Sequence, residues 1–455
     1  MIIFSETADM LKGFIQKSGL SEVARGMVLR LMLTFILHRG RMSCSQAAGA
    51  VASEPIHRGE MTRFLARPRW QEKDFNHPHR LALLKRESKR GKFLFLIDAT
   101  LVSQAGKKTK NTFSTNNHNR GKRGKKRRYG KKKIAYKTCH SFTYGLLITP
   151  SGIRIPMQIP HYTKEYCAES ELVHQTTAEA AAEMIRALPL PPTAQVVVIG
   201  DAAYDAKVVR EACQERGYIW IMPVNSERVY QGSKGARPQV RSRLKDWKKL
   251  PLCTIRLRAS TGQYAGYRRI SRWRMGPKLK PRVYYAHQER AEVRNVGRVQ
   301  LVFSTAKPNL PTATPDDVKI LMTNALHLSV REVIELYSLR WQIELFFKEL
   351  KSTLGMNQYR FQSFEAVRAW VEIANTTVLF LETERAKRMR DRALSPEARR
   401  WWARQRLHGL CTGIRHQCEV QELKYMSERL KTFGGAAKLQ RLLNDAIAPE
   451  FRTPA

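Results

Sequence analysis

The sequence predicts an α/β fold: a mixed sheet covered by helices, interrupted by a β-rich insertion and flanked by helical regions at both ends. Three observations lead there. Between residues 91 and 225, apolar runs such as FLFLIDATLV, AQVVVIGD and YIWIMPV alternate with helical stretches such as TTAEAAAEMIRAL and DAKVVREACQERG. Residues 226–316 replace that rhythm with short alternating segments and scattered turn residues, as in CTIRLRA, RVYYAHQ and RVQLVFST. Residues 1–90 and 357–455 carry basic residues and helical periodicity without strand signals.

The elements follow in order. In residues 1–90, SEVARGMVLRLMLTFILH has apolar residues at helical spacing. A short helix comes next, with Ser43 or Ser45 as its cap, then a turn at Pro55 and a second basic helix in EMTRFLARPRW. That succession suits a helix-turn-helix DNA reader, and equally a small bundle that only packs on the next unit. KFLFLIDATLV reads as a buried strand, and SFTYGLLITPSGIRIPMQIP as a hairpin turning at Pro150-Ser151-Gly152. The second and third strands and their helices complete the first part of the sheet domain. After the insertion, KILMTN reads as a returning strand and residues 329–353 as one long helix, so that 317–356 form the second part of that domain.

Charge sets the partner. Lys and Arg total 81 against 39 Asp and Glu, a formal net charge of +42. Such an excess destabilises a compact chain by self-repulsion unless a polyanion neutralises it, and nucleic acid is the commonest one. The stretch from Lys107 to Lys133 holds thirteen Lys or Arg and no acid, and with its Gly and Asn it reads as a loop. Lys125, Lys126, Arg127 and Arg128 are its densest part, suited to phosphate backbones without base readout. The other 29 positive charges are spread over the rest of the chain. Hydrophobic residues make up 43%, which argues against wholesale disorder. The seven cysteines form no CxxC pair and are odd in number, which suits a reducing compartment. The longest apolar stretch, Val28 to Leu37, is interrupted by Arg30 and far shorter than the roughly 20 residues a bilayer requires. The start also lacks the pattern of a signal peptide. The expectation is a soluble, cytoplasmic protein in contact with nucleic acid and not with a membrane.

One helix carries the sharpest signal. In YSLRWQIELFFKELK, residues Tyr337, Arg340, Lys348 and Lys351 fall within about 40° of Glu344 on a helical projection. Apolar residues flank this stripe, and Glu335, Ser338, Gln342 and Glu349 lie roughly opposite, where a solvent face is expected. A surface ion pair between Arg340 and Glu344 would contribute only a few tenths of a kcal/mol. It would not explain three cations and a tyrosine gathered around one carboxylate. Three cations and one anion invite a phosphate.

Tyr337-x2-Arg340-x3-Glu344-x6-Lys351 resembles the Y-R-E-K signature of bacterial insertion-sequence transposases of the IS-four-like superfamily. The resemblance covers residues 90–355 and implies a ribonuclease-H-like fold whose active site is an Asp-Asp-Glu triad. It places the first aspartate on the first strand, at Asp98 in FLFLIDAT. The second falls after a later buried strand, at Asp201 in VVVIGDAAY, and the glutamate is Glu344. A β-rich insertion between the second Asp and the Glu suits the 143 positions separating them. What it implies is metal-dependent cleavage of element ends and strand transfer. Two Mg²⁺ or Mn²⁺ ions would be held by Asp98, Asp201 and Glu344. Arg340, Lys348 and Lys351 would bind phosphates, with Tyr337 close to the terminal nucleotides. The partners implied are double-stranded DNA, both terminal inverted repeats and target, and a second copy of the chain in a synaptic homodimer. The cell compartment implied is the bacterial nucleoid. A catalytically silent DNA-binding derivative of such an enzyme is the alternative.

Other candidates are weaker. Asp205 is expected to cap the helix after it. His140 and His161 flank the hairpin and are expected to be structural or surface histidines. His408, Cys411, His416 and Cys418 are four potential zinc ligands in eleven residues, at a spacing unlike the usual zinc patterns.

Overall fold

The computed structural model describes residues 5–38, 40–51, 54–70, 75–88, 91–104, 108–116, 136–224, 228–231, 238–258, 264–267, 281–307 and 314–431. Among the described residues the first five helices are α1 (Ser5–Ile15), α2 (Glu22–Leu37), α3 (Cys44–Ala48), α4 (Arg58–Ala66) and α5 (His77–Leu84). Side chains start three of them: Ser21 accepts from the Ala24 N–H, Ser43 from the Gln46 N–H and His57 from the Gly59 N–H, each meeting a backbone donor that a helix start leaves unpaired. Arg30 is buried, and its guanidinium donates to the carbonyls of Ala48 and Glu54. The charge inside the apolar run therefore fastens α2 to the turn after α3.

Among the described residues ten strands form one mixed sheet. They are β1 (Lys92–Gln104), β2 (Phe113–Asn116), β3 (Tyr136–Ile148), β4 (Arg154–Pro160), β5 (Gln195–Ile199), β6 (Ile219–Pro223), β7 (Cys253–Leu257), β8 (Arg282–Val293), β9 (Gly297–Thr305) and β10 (Lys319–Thr323). The order is β2-β3-β1-β5-β6-β10-β9-β8-β7, with β4 also paired to β3. β1, β5 and β6 run parallel, while β3, β4 and the β10-to-β7 run are antiparallel to their neighbours. This is the ribonuclease-H-like mixed sheet predicted from sequence. Residues 226–316 supply β7, β8 and β9, which extend that sheet through the returning strand β10. Phe93 to Ile97 are all buried, as a strand covered on both faces requires. Gly145, opposite Ile97, leaves the space that the Phe95 ring fills; a Cβ there would stand 2.1 Å from it.

Helices α6 (Lys164–Glu169), α7 (Thr177–Arg186) and α8 (Lys207–Glu215) connect the strands. Thr176 and Glu179 form a reciprocal capping box that starts α7. Then come α9 (Val330–Ser338), α10 (Trp341–Ser352), α11 (Phe364–Arg390), α12 (Pro396–Arg404) and α13 (Leu407–Lys431). α11 is buried along most of its length and packs on α2, α4, α12, α13 and β4. It joins the N-terminal helices to the sheet. No helix among the described residues is long and apolar enough to cross a membrane.

Three expectations are corrected. The helix over 329–353 is two helices, broken at Leu339-Arg340. There Arg340 N–H bonds Tyr337 O, Gln342 N–H bonds Leu339 O and Ile343 N–H bonds Arg340 O, three residues back rather than four. A 3₁₀ step advances about 120° per residue against about 100° in an α-helix. The uniform helical projection therefore fails across the junction. The face taken for solvent is buried, with Glu335 at 5%, Gln342 at 5% and Glu349 at 7% exposure, whereas Trp341 is 56% exposed. Those buried groups meet partners distant in sequence: Arg154 reaches Gln342 at 3.0 Å and Glu349 at 3.5 Å, and Arg406 lies 3.6 Å from Glu349. Asp205 does not cap the helix after it. Ala206 holds the cap position of α8, while the buried Asp205 carboxylate pairs with Arg210 and Arg228.

Candidate active site

Sheet register brings the two aspartates together. In the parallel β1–β5 ladder Leu96 lies opposite Ile199, and two more residues along each chain are Asp98 and Asp201. A two-residue step also restores the same side of the sheet. Asp201 lies two residues past the end of β5, where its Oδ1 accepts the Ala203 N–H at 2.9 Å and starts a short 3₁₀ turn. Asp98 Oδ1 accepts the Ala99 N–H at 2.8 Å.

Glu344 arrives from α10, which packs on β1. The Arg340 guanidinium lies between the two elements, with one nitrogen 3.3 Å from Asp98 Oδ2 and the other donating to Glu344 Oε1. Lys351, two turns along α10, donates to the Leu101 carbonyl of β1 at 2.9 Å. The helix is thus fixed to the strand at both ends of the stripe.

Electrostatics tie the cluster together. Burial pushes the Asp98 carboxyl up to about 6; the Ala99 N–H and Arg340 oppose that shift, and the charges of Asp201 and Glu344 add to it. Tyr337 is pushed up to about 12, chiefly by burial, with its hydroxyl hydrogen-bonded to Arg340 and with Asp201 and Glu344 nearby. Lys351 is lowered by burial and by Lys137.

Of the residues expected from sequence, Asp98, Asp201, Glu344, Tyr337 and Arg340 share this place, and Lys351 borders it. Lys348 is exposed on α10 without a partner among the described residues. Lys125, Lys126, Arg127 and Arg128 lie outside the described residues. Among the described residues, no three His, Cys, Asp or Glu side chains stand close enough to hold one ion as they are placed. Arg340 occupies the space between the carboxylates instead.

Lys319, the first residue of β10, was not expected. Its ammonium lies 5.1 Å above the Tyr337 ring centre. Burial and Arg340 lower its pKa, while Glu344 and Asp201 raise it. A lone Lys opening a strand carries no pattern; only the insertion of β10 beside β6 brings it here.

The two histidines are buried. His161 bonds Ser141 at 3.0 Å and also Thr143, and Thr143 bonds the Tyr204 hydroxyl beside Asp98 and Asp201. His140 bonds Tyr359 at 2.9 Å and the Lys110 carbonyl at 3.0 Å. His408, Cys411, His416 and Cys418 all lie on α13, with Cys411 in the core and Cys418 3.0 Å from the Thr7 hydroxyl.

No curated protein matches the chain closely enough to count as a relative. A family model described as the transposase DDE domain matches residues 89–381, a span that contains Asp98, Asp201, Glu344 and the whole sheet. That span is well over half of the 455 residues, and the chain belongs to the transposase DDE domain family.

Proposed function

We propose that this transposase cuts the ends of an insertion sequence and joins them to new DNA, with Asp98, Asp201 and Glu344 as its catalytic carboxylates. The observation that supports this best is the convergence of three carboxylates, with Asp201 and Glu344 both near Asp98 and the Arg340 guanidinium bridging Asp98 and Glu344.

The donor set fits divalent metal. Carboxylate oxygens suit Mg²⁺ or Mn²⁺, and Arg340 already supplies a cation where Asp98 and Glu344 face each other. Two such ions, when bound, supply Lewis-acid polarisation of the phosphoryl oxygens and a more acidic attacking hydroxyl. The chain's own residues do the remainder. Asp98 and Asp201, fixed by backbone N–H groups, and Glu344 set the negative pocket that holds the cations. With metal held by the carboxylates, Arg340 would serve a phosphate oxygen beside the cut, and Lys319 and Lys351 would offer two further cations. Tyr337 packs at the floor and orients the arginine. Residues 1–90 are proposed to read the terminal repeats, and two copies to hold the two ends together near the nucleoid.

The test is an excision assay with DNA flanking the gene, in Mg²⁺ or Mn²⁺, on the wild type and Glu344→Gln. Metal-dependent cleavage that falls at least about 100-fold in the variant is expected for loss of a charge-stabilising group. Equal cleavage by both proteins refutes the assignment of Glu344. Binding by both with cleavage by neither favours a silent DNA-binding derivative.

A further inference from the structure

A second basic surface lies away from the carboxylates. From Glu384 to Arg404 the chain carries eight Lys or Arg against three acids. The segment spans the end of α11, a turn and α12. Its cations fall into two groups. Arg385 is buried and spends its guanidinium on the carbonyls of Gly152, Trp402 and Ala403 and on Glu382, so it holds the fold. Lys387, Arg390 and Arg400 pair with Glu384, Glu87 and Glu397. Arg392, Arg399 and Arg404 have no ion pair among the described residues, and Arg388 meets only the Trp402 ring, at 6.0 Å. Exposed Lys85 and Arg86 stand beside them, since Arg390 donates to the Arg86 carbonyl. Arg86, Lys387, Arg388 and Arg390, with Glu384 and Asp391, line an open groove of about 690 Å³. Trp401 is 39% exposed next to Arg400.

The position on the sheet separates this face from the active site. Arg385 bonds Gly152, in the turn between β3 and β4, and that turn sits where β1 begins, because Ile148 pairs with Leu94. Asp98 is six residues along β1 from Lys92, roughly 20 Å at the usual strand rise.

We propose that the α11–α12 face is a second contact for duplex DNA, made to the phosphate backbone outside the catalytic groove and resting on the transposase reading above. Four guanidiniums without carboxylate partners on one short segment leave its charge uncompensated, and a polyphosphate backbone is the partner that neutralises such an excess. Arg388, Arg399 and Arg404 stand on α11 and α12, and Arg392 on the short turn that joins them. The face carries no base-reading pattern, and the interaction is therefore indifferent to sequence.

The experiment measures binding of a long random-sequence duplex against salt concentration for three proteins. These are the wild type, Arg388→Gln/Arg392→Gln/Arg399→Gln/Arg404→Gln, and the same four positions changed to Lys. Each phosphate that is no longer neutralised reduces the slope of log K against log salt by about 0.9, so the glutamine variant is expected to lose about 2 to 4. The lysine variant keeps most of the slope. An unchanged slope in the glutamine variant overturns this proposal alone. Equal losses in both variants also overturn it, since packing rather than charge would then be at work. A wild type that binds no duplex refutes the transposase reading and takes this proposal with it.

Discussion

Arg340 is the residue on which the site turns. It joins Asp98 to Glu344 and reaches Tyr337, so its removal leaves two carboxylates facing each other in a half-buried place. Arg340→Gln is expected to lower the melting temperature without metal, by the equivalent of about 1–3 kcal/mol for an uncompensated charge. Added Mg²⁺ should then raise the melting temperature of the variant more than that of the wild type. Equal shifts, read by calorimetry, would show that the guanidinium does not stand in a cation's place. The aspartates were legible because each ends an apolar run in a position a strand dictates. Lys319 was not, because its neighbourhood exists only after β10 has paired with β6.

Helix α10 shows how far periodicity reads and where it stops. The stripe of Tyr337, Arg340, Glu344 and Lys351 was visible in the spacing, and the structure gathers it. The break at Leu339-Arg340 was not visible, since neither Gly nor Pro marks it. The opposite face was misread as solvent because Gln342 and Glu349 are satisfied by Arg154 of β4 and by Arg406, groups that no local pattern links to them. Polar residues on a helix signal water only when nothing distant meets them. Glu349→Ala should therefore be costly although it touches no substrate: it removes a carboxylate beside Arg154, which is fully buried. A loss of about 3 kcal/mol is expected in chemical denaturation, in the range for breaking a buried pair. A change below about 0.5 kcal/mol, the size of a surface substitution, would show that Arg154 is held without it.

The fold as a whole buries neutral histidine. His79 stacks on Phe14 at 3.8 Å and is held near 4 by burial with Lys17 and Arg80; His161 is also held near 4, by burial and His174. Unfolded histidine titrates near 6.5. Between those values the unfolded chain binds more protons than the folded one, so stability falls as pH falls. The contribution is complete above about 6.5 and is lost toward 4, at up to about 3 kcal/mol per histidine. His79→Phe keeps the stack on Phe14 and removes a ring nitrogen that has no hydrogen-bond partner among the described residues. It should flatten the melting-temperature curve between pH 4 and about 6.5 by close to one histidine's share. A curve parallel to the wild type would place the acid sensitivity elsewhere.

The parallel pairing of β1 with β5 and the late arrival of α10 have a consequence for the chain as it is made. Asp98, Asp201 and Glu344 emerge from the ribosome in that order, with 143 residues of synthesis between the second and the third. A nascent chain that has already paired β1 and β5 owns two of the proposed carboxylates and a large share of the net positive charge. It still lacks the helix that completes the pocket. Synthesis that stops short of α10 therefore leaves two aspartates at the end of a finished strand pair with no third carboxylate to face them.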